Sequence, residues 1–178
     1  QQSPPVDQLP RAVTTTTVAY GADPRQNYDA TVDNALTAAP WVAVVHGGSW
    51  AAGAKSSSAA VAAMFAAAGF QVFNVEYRVS YGNPGTAWPG MRDDVVAAVD
   101  HIKANAATFH IDPARGALYG FSAGAHIAVT AAVQTPGLTR AVVSVSGPLQ
   151  PDRLRNSVYA GTAGTDETTL AFQAVAAL

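Results

Sequence analysis

The 178-residue sequence predicts an α/β fold, a three-layer sandwich around a mostly parallel sheet. Three observations carry that reading. The apolar runs at 41–45, 117–119 and 141–145 lack the alternation of a half-solvated sheet and suit strands buried on both faces. Stretches of helical length, at 59–68, 89–107 and 125–134, separate the strands. Strands alternating with helices in this way place the helices on both faces of one sheet.

Each element has a local reason. Residues 1–12 read as an irregular leader, and 13–178 as part of one domain without a linker or a repeat. The β-branched run from Val13 to Val18 predicts a first strand ending at Tyr20. Gly21-Ala22-Asp23-Pro24 is turn chemistry, and 28–32 alternates as the returning strand of a hairpin. The buried strand at 41–45 runs into His46-Gly47-Gly48-Ser49-Trp50. Ser56-Ser57-Ser58 is placed to cap a helix over 59–68, which Gly69 ends. Residues 70–77 form the next strand, and Gly82-Asn83-Pro84-Gly85 a loop. Pro89 and Gly90 open a long helix to about 107, with Val95, Val96, Val99 and Ile102 at helical spacing. Asp112-Pro113 turns into the strand that reaches Tyr119. After the helix at 125–134 comes the strand at 141–145, closed by Ser146-Gly147-Pro148. Residues 152–164 read as loop or short helix, and Thr165 or Asp166 caps a last helix to 177.

Composition removes several classes of function. The chain is 49% hydrophobic and only 12% charged, with a net charge of -2, so no basic surface invites nucleic acid. No apolar run is long enough to span a membrane. The absence of cysteine excludes a thiol nucleophile, a cysteine zinc site and disulfides. No His, Asp or Glu cluster has metal-ligand spacing, and no glycine-rich loop has a phosphate or dinucleotide pattern. Neither a cofactor nor a metal is therefore expected. The start Gln1-Gln2-Ser3-Pro4-Pro5 lacks Met and reads as a mature N-terminus after signal cleavage or as a trimmed one. With the low charge, it favours a secreted or extracytoplasmic location and leaves a cytoplasmic one open.

Two motifs carry chemistry. Gly120-Phe121-Ser122-Ala123-Gly124 reads Gly-x-Ser-x-Gly between a buried strand and an apolar helix, the context that a nucleophile elbow requires. A serine on so sharp a turn projects its hydroxyl from the top of the sheet. Gly120 and Gly124 let strand and helix approach closely, and the helix N-terminus offers unpaired N–H groups to an anion. Upstream, His46-Gly47-Gly48-Ser49 also follows a buried strand. Glycines there let N–H groups turn toward a substrate oxygen and, with the N–H of Ala123, form an oxyanion hole, each donor being worth roughly 3–4 kcal/mol. Taken singly, each motif is equally a tight glycine turn.

Together these residues resemble the α/β-hydrolase superfamily, specifically esterases of the hormone-sensitive-lipase-like and HGGxW acyl-esterase type. The likeness rests on His46-Gly47-Gly48-Ser49-Trp50, Gly53, Lys55, Glu76-Tyr77-Arg78, Trp88-Pro89 leading to Asp93 or Asp94, Ile111-Asp112-Pro113, and Gly120 to His126, in that order. Tyr20-Gly21 to Tyr28-Asp29 also resembles the family's first hairpin. The resemblance implies a serine hydrolase acting on small-molecule carboxylic esters. It implies Ser122 as nucleophile and the N–H groups of Gly48, Ser49 and Ala123 as oxyanion hole, although Ser49 stands where many relatives have a third glycine. It gives His46, Gly47 and His126 supporting roles. Trp50, Tyr81 and Trp88, near strand-top loops, are candidates for an acyl or alcohol pocket and equally for ordinary packing. His101 and His110 are expected at the surface, and Asp93 and Asp94 as solvated or loop-bracing residues.

One feature departs from the family pattern. The triad order in this fold is serine, acid, histidine. The sequence reaches Leu178 before the strands that carry the last two, so 13–178 reads as the N-terminal part of one α/β-hydrolase domain lacking its last strands. Asp166 fits a helix cap better than a triad acid. The expectation is a second polypeptide, such as the C-terminal half of a nicked precursor, that brings the acid and histidine and pairs with the edge strand at 141–145. An amidase or formamidase on the same scaffold, and a hydrolase-fold binding module without catalysis, stay open as alternatives.

Overall fold

The computed structural model describes residues 13–80 and 88–148. The expected leader, Tyr81, the loop at 82–85 and everything after 148, including the last helix, lie outside these residues. Six strands form one sheet in the order β1-β2-β4-β3-β5-β6. They are β1 (Val13–Ala19), β2 (Asn27–Asp33), β3 (Ala39–Val45), β4 (Gln71–Val75), β5 (Ile111–Phe121) and β6 (Ala141–Val145). β1 and β2 form an antiparallel hairpin, and β2 lies antiparallel to β4. β4, β3, β5 and β6 are parallel. The hairpin turn is set by Asp23, whose carboxylate accepts the Arg25 N–H and whose carbonyl accepts the Gln26 N–H.

Three helices make the outer layers: α1 (Ala59–Ala67), α2 (Gly90–Ala104) and α3 (Ala123–Gln134). Alternating side chains of β3 and β4 divide between the two faces, as strand geometry requires. Val42, Val44 and Val72 pack against Ala62, Val61 and Phe65 of α1. Ala43, Val45, Phe73 and Val75 belong to the larger core that also holds Val95, Val99 and Ile102 of α2 and Ile127, Ala128 and Ala131 of α3. This is the predicted three-layer sandwich. The α2 trio recurs at i, i+4 and i+7 and is wholly buried, and each such side chain contributes about 1.5–3 kcal/mol as an upper bound.

Several boundaries differ from the sequence reading, each for a local reason. Ser58 occupies the N-cap of α1 without a capping side-chain bond, because residues Lys55–Ser58 form a 3₁₀ turn in which Ser57 Oγ donates to the Ala54 carbonyl. β4 stops at Val75, and the chain leaves the sheet with Glu76 and Tyr77 turned inward. α2 ends at Ala104 and α3 begins at Ala123. Asp112-Pro113 is not a turn before β5 but lies inside it, where the pairing with β3 shifts register between Ala39 and Trp41. His101 is not a free surface residue: it is half-buried and hydrogen-bonds the Tyr28 hydroxyl at 2.8 Å. His110 is half-buried at a φ of 54°, and its carbonyl accepts the Ala39 N–H. Among the described strands β6 pairs only with β5 and is the sheet edge.

Candidate active site

β3 and β5 are neighbours, with Val45 opposite Gly120, so the two motifs leave the sheet side by side at the carboxyl ends of parallel strands. Crevices outside such strand ends are where open α/β sheets bind ligands.

The serine turn comes first. Ser122 has φ 54° and ψ -123°, in a region that side chains rarely adopt. Its N–H donates to the Val145 carbonyl of β6 at 2.9 Å, and its carbonyl accepts the N–H groups of Ala125 and His126. The turn is tight because its flanking glycines admit backbone. A Cβ on Gly124 would lie 2.3 Å from the His46 carbonyl oxygen, and one on Gly120 would lie 2.4 Å from that of Gly124. Ala123 opens α3, where backbone N–H groups lack intrahelical partners.

The glycine loop is held differently. Gly48 has φ 139°, and Ser49 and Trp50 follow at 52° and 62°. Its carbonyls are taken one after another. The His46 carbonyl accepts Tyr77 Oη at 2.7 Å. That of Gly47 lies 2.7 Å from His46 Nδ1. The Gly48 carbonyl accepts the N–H groups of Ala51 and Ala52, and the Trp50 carbonyl accepts the N–H and hydroxyl of Ser80. The Gly53 carbonyl accepts Arg25 at 2.6 Å. In a planar trans peptide, C=O and the following N–H point opposite ways. Holding the carbonyls of Gly47 and Gly48 therefore fixes the directions of the Gly48 and Ser49 N–H groups, which donate to no acceptor among the described residues.

Sequence reasoning quoted Glu76 without assigning it a role, yet it is the centre of this bracing. Its buried carboxylate meets His46 Nε2 at 3.1 Å, Arg25 Nη2 at 2.5 Å and the Lys55 N–H at 2.9 Å. Burial works to raise the Glu76 carboxyl, but hydrogen bonds from His46 and Lys55 and the charges of His46 and Arg25 outweigh it and hold the group below its ordinary value. Tyr77 stacks on the His46 ring at 4.2 Å. Lys55 Nζ reaches Asn27 and Asp29 of β2. Asp94 is buried rather than solvated, and accepts Arg78 and Gln26. The signal that points to Glu76 in the sequence is a lone charged residue directly after the strand at 71–75.

A cavity of about 610 Å³ joins the two turns. Gly47, Gly48, Ser49, Phe121, Ser122 and Val145 line it, with Ser57, Ser58 and Val61 on the α1 side. Trp50 and Trp88, candidates for a pocket and equally for packing, are not among its lining residues; both rings pack against His126, at 5.7 and 5.0 Å. Trp50 Nε1 donates to His126 Nδ1 at 3.3 Å, and burial lowers the His126 imidazole to about 4, so the ring is neutral at pH 7. All four histidines of the sequence are described, and none hydrogen-bonds the Ser122 hydroxyl. Among the described residues no cluster of His, Asp or Glu is arranged to hold a metal, and no helix is long and apolar enough to cross a membrane.

Comparison with known proteins places this arrangement. The BD-FAE family model matches residues 30–157, well over half of the chain. Esterase LipC of Mycobacterium tuberculosis is 34% identical over 117 residues, which cover 64% of this chain and 28% of that protein. A probable isoprenylcysteine alpha-carbonyl methylesterase of Oryza sativa, ICMEL1, is 35% identical over 112 residues, covering 62% and 26%. The chain thus matches only about a quarter of the length of these relatives. Among solved structures, a bacterial heroin esterase superposes with a TM-score of 0.59 at 32% identity, covering 68% of this chain and 39% of that one. From the serine turn, the glycine loop beside it and these matches, the chain belongs to the BD-FAE family, among the α/β-hydrolase esterases.

Proposed function

We propose that the full-length protein is a serine hydrolase of small-molecule carboxylic esters and that Ser122 is its nucleophile. The observation that carries this reading is the placement of Ser122, at φ 54° between β5 and the N-terminus of α3, on one cavity with Gly47, Gly48 and Ser49. In this reading Ser122 Oγ attacks the ester carbonyl. The carbonyl oxygen takes up negative charge and is met by the N–H groups of Gly48, Ser49 and Ala123, while the start of α3 adds its partial positive charge. The tetrahedral intermediate collapses, alcohol leaves, and an acyl group stays on Ser122. Water then releases the acid and restores the hydroxyl.

Both steps need a base: in the first it takes the Ser122 proton and gives it to the leaving alcohol, and in the second it takes a proton from water and returns it to Ser122 Oγ. None of the four histidines hydrogen-bonds the Ser122 hydroxyl, so the reading assigns the base and its orienting acid to polypeptide outside the described residues. That polypeptide is further length of the same chain or a second one seated beside β6. His126 is a packing partner of Trp50 and Trp88 rather than that base.

The test uses the full-length protein with short-chain aryl esters and matched anilides. Ester turnover that Ser122→Ala reduces by at least about 10³-fold is expected, the scale of loss when a catalytic nucleophile is removed. Turnover unaffected by Ser122→Ala would exclude the assignment, and a preference for the anilide would point to an amidase.

A further inference from the structure

We propose that Arg25, on the turn of the N-terminal hairpin, is a positioning residue for the carbonyl-oxygen site more than 20 residues downstream. The inference rests on the esterase reading for its catalytic consequence, but its structural content stands apart from it. Arg25 gathers three acceptors from two separate segments. Its Nη2 donates to the Gly53 carbonyl at 2.6 Å and to Glu76 Oε1 at 2.5 Å, and its Nε donates to the Tyr77 carbonyl at 3.0 Å. The hairpin turn holds Arg25 in turn through the Asp23 carboxylate on its N–H.

From Arg25 a chain of contacts leads to a single peptide. The same Glu76 oxygen that accepts Arg25 meets His46 Nε2 at 3.1 Å. The other ring nitrogen of His46 meets the Gly47 carbonyl at 2.7 Å. That carbonyl belongs to the peptide whose N–H is Gly48's, so its direction sets the direction of the Gly48 donor. The His46 ring cannot relax sideways: it is wholly buried and stacked on Tyr77, and the Gly53 backbone crosses so close that a Cβ there would lie 2.9 Å from Nδ1. Arg25 also grips the Gly53 carbonyl and so closes the far end of the same loop. Removing Arg25 leaves Glu76 to share its charge among His46 and the N–H groups of Lys55 and Tyr77, and loosens the Gly47–Gly48 peptide.

The experiment compares wild-type, Arg25→Gln and Arg25→Lys full-length protein by two readouts. The first is the amide ¹H–¹⁵N resonances of Gly48 and Ser49. The second is kcat and KM on an aryl ester, normalised to sites titrated by a phosphonate. Arg25→Gln is expected to displace the Gly48 amide resonance and to lower kcat per titrated site about tenfold, part of the loss seen when an oxyanion donor is deleted, with KM within about threefold. Arg25→Lys keeps the charge but not the fork. It is expected to recover part of both effects, and it keeps the test open if the glutamine variant does not fold. An unmoved Gly48 amide, or a displaced amide with kcat unchanged, overturns the proposal. A displaced amide in a protein whose wild type turns over no ester supports the relay and refutes the esterase reading.

Discussion

The two turns beside the cavity are held in place by different means. The serine turn is fixed locally and sterically: Gly120 and Gly124 leave no room for a side chain, and the backbones of β3, β5 and α3 meet across them. The glycine loop is equally closed to side chains at Gly48 and Gly53, but it is fixed in addition by polar groups, several of them from distant segments. Its carbonyls are held by Tyr77, His46, Ser80 and Arg25, which come from the loop's own start, the end of β4 and the hairpin turn. A sterically fixed turn tolerates no added atom, and among the described residues the serine turn has only backbone partners, which no side-chain substitution removes. A turn fixed by polar groups tolerates its surroundings only while every buried partner is present. The difference suits the chemistry proposed for each, since a nucleophile needs one exposed oxygen on a rigid post, whereas donors need their directions set individually.

Breaking the serine turn is expected to have the largest effect. Gly124→Val puts atoms against the carbonyls of Val45 and His46, and backbone cannot give way as a flexible side chain would. A loss of more than about 4 kcal/mol, read as insoluble or unfolded protein by circular dichroism, is the expected outcome. Next comes the polar centre of the glycine loop. Glu76→Ala leaves the buried His46 ring and the Lys55 and Tyr77 N–H groups without their acceptor and Arg25 without its partner, and should cost about 3 kcal/mol in urea unfolding.

The contact between Trp50 of the loop and His126 of α3 sharpens the comparison through pH. The His126 imidazole is lowered to about 4 from 6.5 by burial, so between those values the unfolded chain holds a proton that the folded one does not. Stability is full above pH 6.5 and declines as pH falls toward 4, by on the order of 2 kcal/mol once partial solvent contact is discounted. His126→Gln should flatten that part of the wild-type stability–pH curve; an unchanged slope would show that the ring does not carry it. The smallest effect is a gain. Ser122→Gly relieves the positive φ and should raise stability by about 1 kcal/mol in the same urea assay while abolishing activity.

Those same contrasts explain what the sequence makes legible. Steric features leave a local imprint: Gly120 and Gly124 bracket Ser122, the apolar run of β3 marks burial on both faces, and Val95, Val99 and Ile102 mark one stripe of α2. The hairpin, the parallel sheet and the adjacency of the two turns follow from such short-range patterns. The polar bracing leaves almost none, because Arg25 and Glu76 are 51 positions apart and a single arginine in a turn reads as solvated. Ser58 misled for a related reason: its spacing fits a cap, but the preceding 3₁₀ turn removes the geometry that capping needs. Trp50 and Trp88 were legible as aromatics near the site, open to either a pocket or a packing role, whereas their contact with His126 depends on packing that no local pattern encodes.

The central claim is that a carbonyl oxygen attacked by Ser122 falls among the N–H groups of Gly48, Ser49 and Ala123. The most direct measurement is a crystal structure of the full-length protein after reaction with an alkyl phosphonate, which forms a tetrahedral adduct on the nucleophile. The account predicts phosphorus bonded to Ser122 Oγ, with the phosphonyl oxygen roughly 2.7–3.1 Å from the Gly48 and Ala123 nitrogens. A label on another residue, or an oxygen turned to solvent away from those nitrogens, would contradict it.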